Sequence, residues 1–361
     1  MMLILPKGGH IKTEKVKLSI ISLCKDNLIK ELDQLFSSFD NACSKTKHFR
    51  SFVSGGCTFN FYSNQADYLS LIDRALQPNN SKPLLPATIL STNFGDLGLP
   101  HFKWIETTLD AVALDSMLKN TPYRLHIDSQ YQVYSIFDRK LSRGIQLRHS
   151  SSQKPPWETG GPLRIFIHWH LAKLSRPLIH AGSLAVGNTG VLIAGPGGSG
   201  KSSTVISGIF SELGSVGDDY ISVEINSQIL LRPVFKIMKV DPARLLAIGI
   251  KTTADLNWQN KVELNFSELS RGLTNNLIEA KALLLPKICN RKKSRLLRAS
   301  SKQAFLSLTP SAMSQLPGDW DHLFRSGAEI SRRLPCYVLE LGVDPKEIAV
   351  CIKSFITQEL L

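Results

Sequence analysis

The chain has 361 residues, of which 43% are hydrophobic and 20% charged, with 24 glycines and 18 prolines spread along it, which excludes disordered and collagen-like chains. That length suits two domains or one large one. Lysine and arginine outnumber aspartate and glutamate by 43 to 30, a net +13 that favours an anionic partner; no apolar run reaches the about 18 residues of a membrane span, so a cytoplasmic protein, neither secreted nor inserted, is expected.

In chain order, Leu28 to Phe39 carries apolar residues at helical spacing and predicts a core-facing helix. Cys57 to Asn64 (CTFNFYSN) alternates apolar and polar positions, and Tyr123 to Leu147 reads as successive antiparallel strands. Ser, Pro and Gly then cluster from His149 to Pro162. The organisation expected is therefore a mixed α+β domain over residues 1–150, a linker over 151–162 and an α/β domain over 163–361.

Within the second part, Leu163 to Ser175 predicts a helix ended by Pro177. His168 and His170 stand two apart on it and point to nearly opposite faces, a poor metal pair and a structural one. Leu178 to Val186 predicts a strand closed by the turn residues GNTG, and Val191 to Ala194 a short strand feeding a glycine-rich loop. Ala282 to Pro286 and Pro335 to Leu341 read as buried strands. Asp344, Pro345 and Glu347 predict a helix start, with Asp344 as cap and Glu347 completing a capping box. The six cysteines (Cys24, Cys43, Cys57, Cys289, Cys336 and Cys351) stand far apart without zinc-site spacing and are expected as reduced thiols.

Gly195 to Ser202 (GPGGSGKS) matches GxxxxGK[ST] without a mismatch, between a predicted strand and a predicted helix. Close approach of backbone amides to a phosphate chain requires residues lacking Cβ, and the amides at the helix start favour negative charge. Gly195, Gly197, Gly198, Ser199, Gly200, Lys201, Ser202 and Ser203 are the candidate nucleotide contacts, with Lys201 reaching the terminal phosphates and Ser202 able to ligate magnesium. Asp218 and Asp219 follow, at the end of the next strand or in its loop. Adjacent carboxylates near a triphosphate can divide the labour, one supporting a metal and the other accepting a proton. His180, just ahead of the loop's strand, can orient an aspartate or serve as a satisfied core histidine.

The succession LIHAG, GVLIAGPGGSGKSS and LGSVGDDYISVEI resembles the catalytic core of HPr kinase/phosphorylase, whose P-loop domain is related to phosphoenolpyruvate carboxykinase. It is specific over about His180 to Glu224, extends more faintly through ALLLPKI and RRLPCYVLELGVDPKEI, and is nearest to the stand-alone serine kinases of precursor peptides, including lasso-peptide precursor kinases. The resemblance implies ATP and magnesium, Lys201 on the terminal phosphates, Ser202 and Asp219 at the metal, Asp218 as base toward an acceptor serine, and His180 paired with the acidic site. It also implies a small protein or precursor peptide as acceptor and a homo-oligomer. No EIRGLG-type stretch of true HPr kinases is found, and NWQNKVELNFSEL stands where it would fall, so the resemblance leaves HPr as the acceptor and the reverse phosphorylase reaction open. There Lys261 and Glu263 are supporting candidates, weighed against an exposed polar strand.

The basic cluster Lys287, Arg291, Lys292, Lys293, Arg295 and Arg298 reads as a solvated loop before it reads as a docking lid. Without interleaved aromatics it is a poor platform for nucleic acid. Beside an ATP-dependent serine kinase stand two other functions. One is a nucleotide-binding regulatory module that transfers nothing, against which the paired aspartates argue; the other is a carboxykinase-like enzyme acting on a small acid.

Overall fold

The computed structural model describes residues 25–80, 86–100, 111–149, 154–269 and 275–361. Cys24 and part of the expected linker, 151–153, lie outside the described residues. The fold is mixed α/β, and among the described residues it contains three sheets.

The first part opens with α1 (Lys25–Ser37) and α2 (Phe39–Ser44), followed by β1 (His48–Ser54), β2 (Cys57–Ser63), α3 (Ala66–Ala75), β3 (Gln77–Pro78) and β4 (Ala87–Asn93). Then come α4 (Ala111–Leu118), β5 (Tyr123–Asp128), β6 (Val133–Asp138) and β7 (Arg143–Arg148). The expected helical spacing is real: Leu28, Leu32, Leu35 and Phe36 are the buried stripe of α1. In β2 the alternation buries Phe59, Phe61 and Ser63. The β1–β2 hairpin turns on Gly55 and Gly56, both at positive φ (+58° and +75°), the geometry that a two-residue turn between twisted strands demands. Seven strands pair in the order β3-β1-β2-β4-β7-β6-β5. β5, β6 and β7 form the expected antiparallel run, while β4 pairs parallel with β2 and β7.

The second part begins with α5 (Arg164–Lys173), β8 (Leu178–Ile179), β9 (Ala181–Val186), β10 (Thr189–Ala194), α6 (Lys201–Phe210), β11 (Ile221–Ile225), β12 (Ile229–Pro233) and β13 (Ile237–Val240). It continues with α7 (Pro242–Ala247), β14 (Val262–Asn265), α8 (Phe266–Leu269), β15 (Ile278–Arg291), β16 (Arg295–Arg298), α9 (Ser301–Gln315), α10 (Trp320–Arg333), β17 (Cys336–Gly342) and α11 (Pro345–Phe355). β13 and β14 form a two-stranded ribbon; the other strands make an eight-stranded sheet in which β10, β15 and β17 run parallel. Those three are near-continuous apolar runs because both faces are covered. Val191 and Ile193 of β10 pack toward α6 and α11, whereas Leu192 and Ala194 pack toward α9 and α10.

Between the two large sheets lies α5, buried nearly all round, in a core that joins Phe59, Phe61 and Phe137 of the first sheet to Tyr220 and Phe235 of the second part. His168 and His170 are both buried in it, and burial pushes both down to about 4. His168 Nε2 lies 3.3 Å from the Gly318 carbonyl, and His170 packs edge-on against Phe59. The described end of the segment before α5 is itself packed: buried Glu158 accepts a 2.7 Å bond from Arg148 of β7.

Three local expectations need correction. The strand expected over Leu178–Val186 breaks at His180, where the chain leaves β11, the partner of β8, for β10, the partner of β9. Of the two placements expected for Asp218 and Asp219 the loop holds: they stand in the loop leading into β11, where Gly217 (φ +150°) and Asp219 (φ +74°) turn the backbone. Asp344 caps α11 through the Lys346 amide, yet Glu347 does not close a capping box; its carboxylate instead accepts from Ser294, at 2.8 Å from the amide and 2.7 Å from the hydroxyl. The basic cluster is only partly loop: Lys287 and Arg291 stand on β15, Lys292 and Lys293 in the bend after it, and Arg295 and Arg298 on β16, with β17 lying between the two strands so that Arg291 and Arg295 converge on its Glu340 at 3.0 and 2.6 Å. Among the described residues no helix is long and apolar enough to cross a membrane, and five cysteines are free thiols.

Candidate functional site

A cleft of about 670 Å³ opens at the carboxyl end of β10. Its floor is the glycine-rich loop between β10 and α6, so the chain passes from the last strand residue, Ala194, to the first helical residue, Lys201, in six residues of turn. Gly198 and Gly200 take positive φ (+77° and +105°). At Gly200 a side chain fails twice, since a Cβ there would also stand 2.5 Å from Leu341 of β17. Gly197 and Gly198 have open space where a Cβ would project, which leaves their backbone approachable from the cleft. Lys201 folds over the loop, its Nζ donating to the carbonyls of Gly195 (2.7 Å) and Pro196 (3.2 Å). Burial lowers its pKa, against the pull of Asp218 and Asp219. Ser202 and Ser203 line the same cleft; Ser199 and Gly195 lie against each other beneath it.

The two aspartates face this floor in different surroundings. Asp219 is fully engaged: Oδ1 accepts from His180 Nε2 at 3.0 Å and Oδ2 from Lys239 Nζ at 3.1 Å. Burial alone would raise its pKa, but Lys239 and His180 together hold the carboxyl well below the usual range, so it is an anion throughout the neutral region. Asp218 is 1% exposed, and neither of its oxygens makes a hydrogen bond of normal geometry. Burial raises its pKa and the charge of Asp219 adds to that, while the neighbouring Ser202 hydroxyl, Lys201 and His180 favour the anion. A buried, uncommitted carboxylate beside a fixed one can exchange a proton where its neighbour cannot.

The facing wall comes from elements that no motif marks. Lys239 on β13 and Lys261, just before β14, line the cleft together with Arg164 from the start of α5. Glu263, weighed with Lys261 in the sequence, turns the other way and bonds Arg74 at 3.1 Å and Thr159 at 2.7 Å. His180 Nδ1 bonds the hydroxyl of Ser311, and Gln315, one helical turn later on α9, donates to Ser311 at 3.3 Å. Gln315 also accepts from the Tyr220 hydroxyl. Asp219, His180, Ser311 and Gln315 thus form a continuous chain of contacts from the acidic pair into α9. No motif in the sequence marks Arg164, Lys239, Ser311 or Gln315 for this cleft. Pro310 stands inside α9, next to Ser311.

Among the described residues no three His, Cys, Asp or Glu side chains cluster to hold a metal unaided. Magnesium does not require that, since it takes one or two carboxylates, with phosphate oxygens and water completing six ligands. The all-oxygen set of Ser202 with the aspartate pair, including the buried, unpartnered oxygens of Asp218, fits such a hard cation.

No protein-family model matches the chain, and no curated protein matches it in sequence. Among solved structures, the Hpr(Ser) kinase/phosphatase from Coxiella burnetii matches over 51% of this chain and 98% of its own, at 13% identity and a TM-score of 0.29. A likeness that slight adds nothing to what the residues themselves carry.

Proposed function

We propose that the protein is an ATP-dependent kinase that transfers the γ-phosphoryl group to a serine hydroxyl of a small protein or peptide. The observation that carries this reading is the uncommitted, buried Asp218 beside Lys201 and Ser202 at the end of a strand–glycine loop–helix unit. Nucleotide binding alone needs no free carboxylate there. The loop amides and the start of α6 would cradle the phosphates, and Lys201 would leave its carbonyl contacts for the terminal phosphates. Ser202 and Asp219 would hold magnesium, which supplies charge neutralisation of the phosphate oxygens when bound. Asp219, kept anionic by Lys239 and His180, holds the geometry of the aspartate pair. Asp218 takes the serine proton as the serine oxygen bonds to the γ-phosphorus and the bond from that phosphorus to the β-phosphate oxygen breaks, releasing ADP.

The test is phosphate transfer to small proteins and peptides encoded beside this gene, read by intact mass with purified protein, ATP and magnesium. Lys201→Ala is expected to abolish transfer, and Asp218→Asn to lower it by about 10²-fold or more while nucleotide still binds. Undiminished turnover in Asp218→Asn would remove the proton-accepting role. Partner capture that responds to nucleotide, with no phosphorylated product, would favour a regulatory module instead. A homo-oligomer is part of the proposal and is checked by light scattering.

A further inference from the structure

A second cavity, of about 410 Å³, lies directly behind the cleft. Trp157, Arg164 and Gln315 line both, so the two spaces share one wall. The far side of this cavity is the first sheet, through residues such as His126 of β5 and Ser135 of β6, and its roof is the end of α9 at Met313. Phe166 and Trp320 add apolar surface, beside the polar Asp128, Gln146 and Glu158. The volume falls in the range of pockets that seat small ligands or inserted side chains.

Three observations mark the space as more than a packing gap. His126 Nδ1 and Arg164 Nε are buried polar atoms without a hydrogen-bond partner among the described residues, a condition that costs about 1–3 kcal/mol per group unless a ligand relieves it. Leu163 holds a left-handed backbone (φ 56°, ψ 17°) immediately before Arg164, where a bulky residue carries about 1–2 kcal/mol of strain. That bend starts α5 so that Arg164 lies on the shared wall. There its guanidinium sits 5.1 Å over the ring of Tyr220, the residue after Asp219, and donates to the Tyr220 hydroxyl at 2.9 Å.

We infer that this cavity is the acceptor subsite, seating a bulky apolar side chain next to the serine of a peptide segment, with Arg164 donating to a carbonyl of that segment. The inference rests on the serine-kinase reading above. The apolar part of the lining, Val133, Ile165, Phe166, Met313 and Trp320, suits a hydrocarbon or aromatic group. Because Trp157, Arg164 and Gln315 border both spaces, a side chain in the cavity would leave its neighbour's hydroxyl toward the cleft that holds Asp218.

The experiment uses serine-centred peptide pools, each with one residue type fixed beside the serine, incubated with the full-length protein, ATP and magnesium. Pools with Leu, Ile, Phe or Met are expected to gain phosphate about tenfold faster or more than pools with Gly or Asp, as a hydrophobic pocket discriminates. Met313→Trp, which fills the cavity, is expected to erase that preference while nucleotide affinity, titrated with a fluorescent analogue, holds. Val133→Leu fills the same space more gently if the tryptophan variant does not fold. Equal rates across pools, or a preference untouched by either filling, overturn the inference. So does protein that binds nucleotide but phosphorylates no pool. Failure to bind nucleotide at all strikes the kinase reading itself.

Discussion

One wall of the cleft is a single stretch of chain, Gly195 to Ser203, whereas the facing wall is gathered from α5, the β13–β14 ribbon, α9 and the loop before β11. The first wall needs only local geometry: two glycines at positive φ, a helix start and a lysine that reaches back over its own loop. The second has no local logic. Lys239 is placed by pairing with β14, Ser311 and Gln315 by α9 packing against the second sheet, and Arg164 by a helix buried between two sheets. Chemistry that is the same in many proteins can be written in a short motif. The groups that tune the acidic pair must come from wherever packing leaves them.

This contrast can be broken experimentally, and the largest expected effect is acid on the gathered wall. His168 and His170 are held near 4 by burial, below the 6.5 of an exposed histidine. The unfolded chain therefore binds more protons between these values, and the stability that neutral burial gives is complete above pH 6.5 and lost as pH falls toward 4. Between pH 7 and 5 the two together should remove about 4 kcal/mol. Denaturant titrations at the two pH values read this directly, and His170→Leu should remove about half of the slope. A flat profile would mean that α5 is not the acid-sensitive element.

Next in size is Lys239→Met, which leaves the partly buried Asp219 with His180 alone. Breaking a buried pair costs 3–5 kcal/mol, and partial exposure of Asp219 reduces that to about 2–3 kcal/mol. Transfer should fall with it, and its pH profile should shift as Asp219 becomes easier to protonate. Gly200→Ala probes the opposite wall at about 2 kcal/mol, from left-handed strain and the approach to Leu341. Its signature is lost nucleotide binding without a change in the pH profile. The smallest effect is Ser311→Ala, which removes one hydrogen bond behind His180 and should slow transfer by about fivefold. If Ser311→Ala were as damaging as Lys239→Met, the chain of contacts into α9 would belong to the chemistry rather than to its orientation.

Much of the fold was legible. The buried stripe of α1, the alternation of β2, the antiparallel run to β7 and the apolar strands β10, β15 and β17 all follow from period and composition. Misreadings fell where a side chain or a strand had two available partners. Glu347 could cap its own helix but bonds Ser294, and the chain at His180 changes neighbours in mid-run. The basic cluster read as a solvated loop because its partner, Glu340, lies on the next strand over.

By itself the sequence determined the glycine loop, the lysine and serine that follow it, and the presence of two adjacent aspartates. Each depends on residues within a few positions of one another, so backbone geometry and side-chain type suffice. Only the tertiary structure decided that these aspartates are unlike, one clamped between Lys239 and His180 and one buried without a partner. It alone placed Arg164 and Gln315 between two cavities. Desolvation and ion pairing depend on which distant segments close over a group, and that is set by how the helices pack between the sheets.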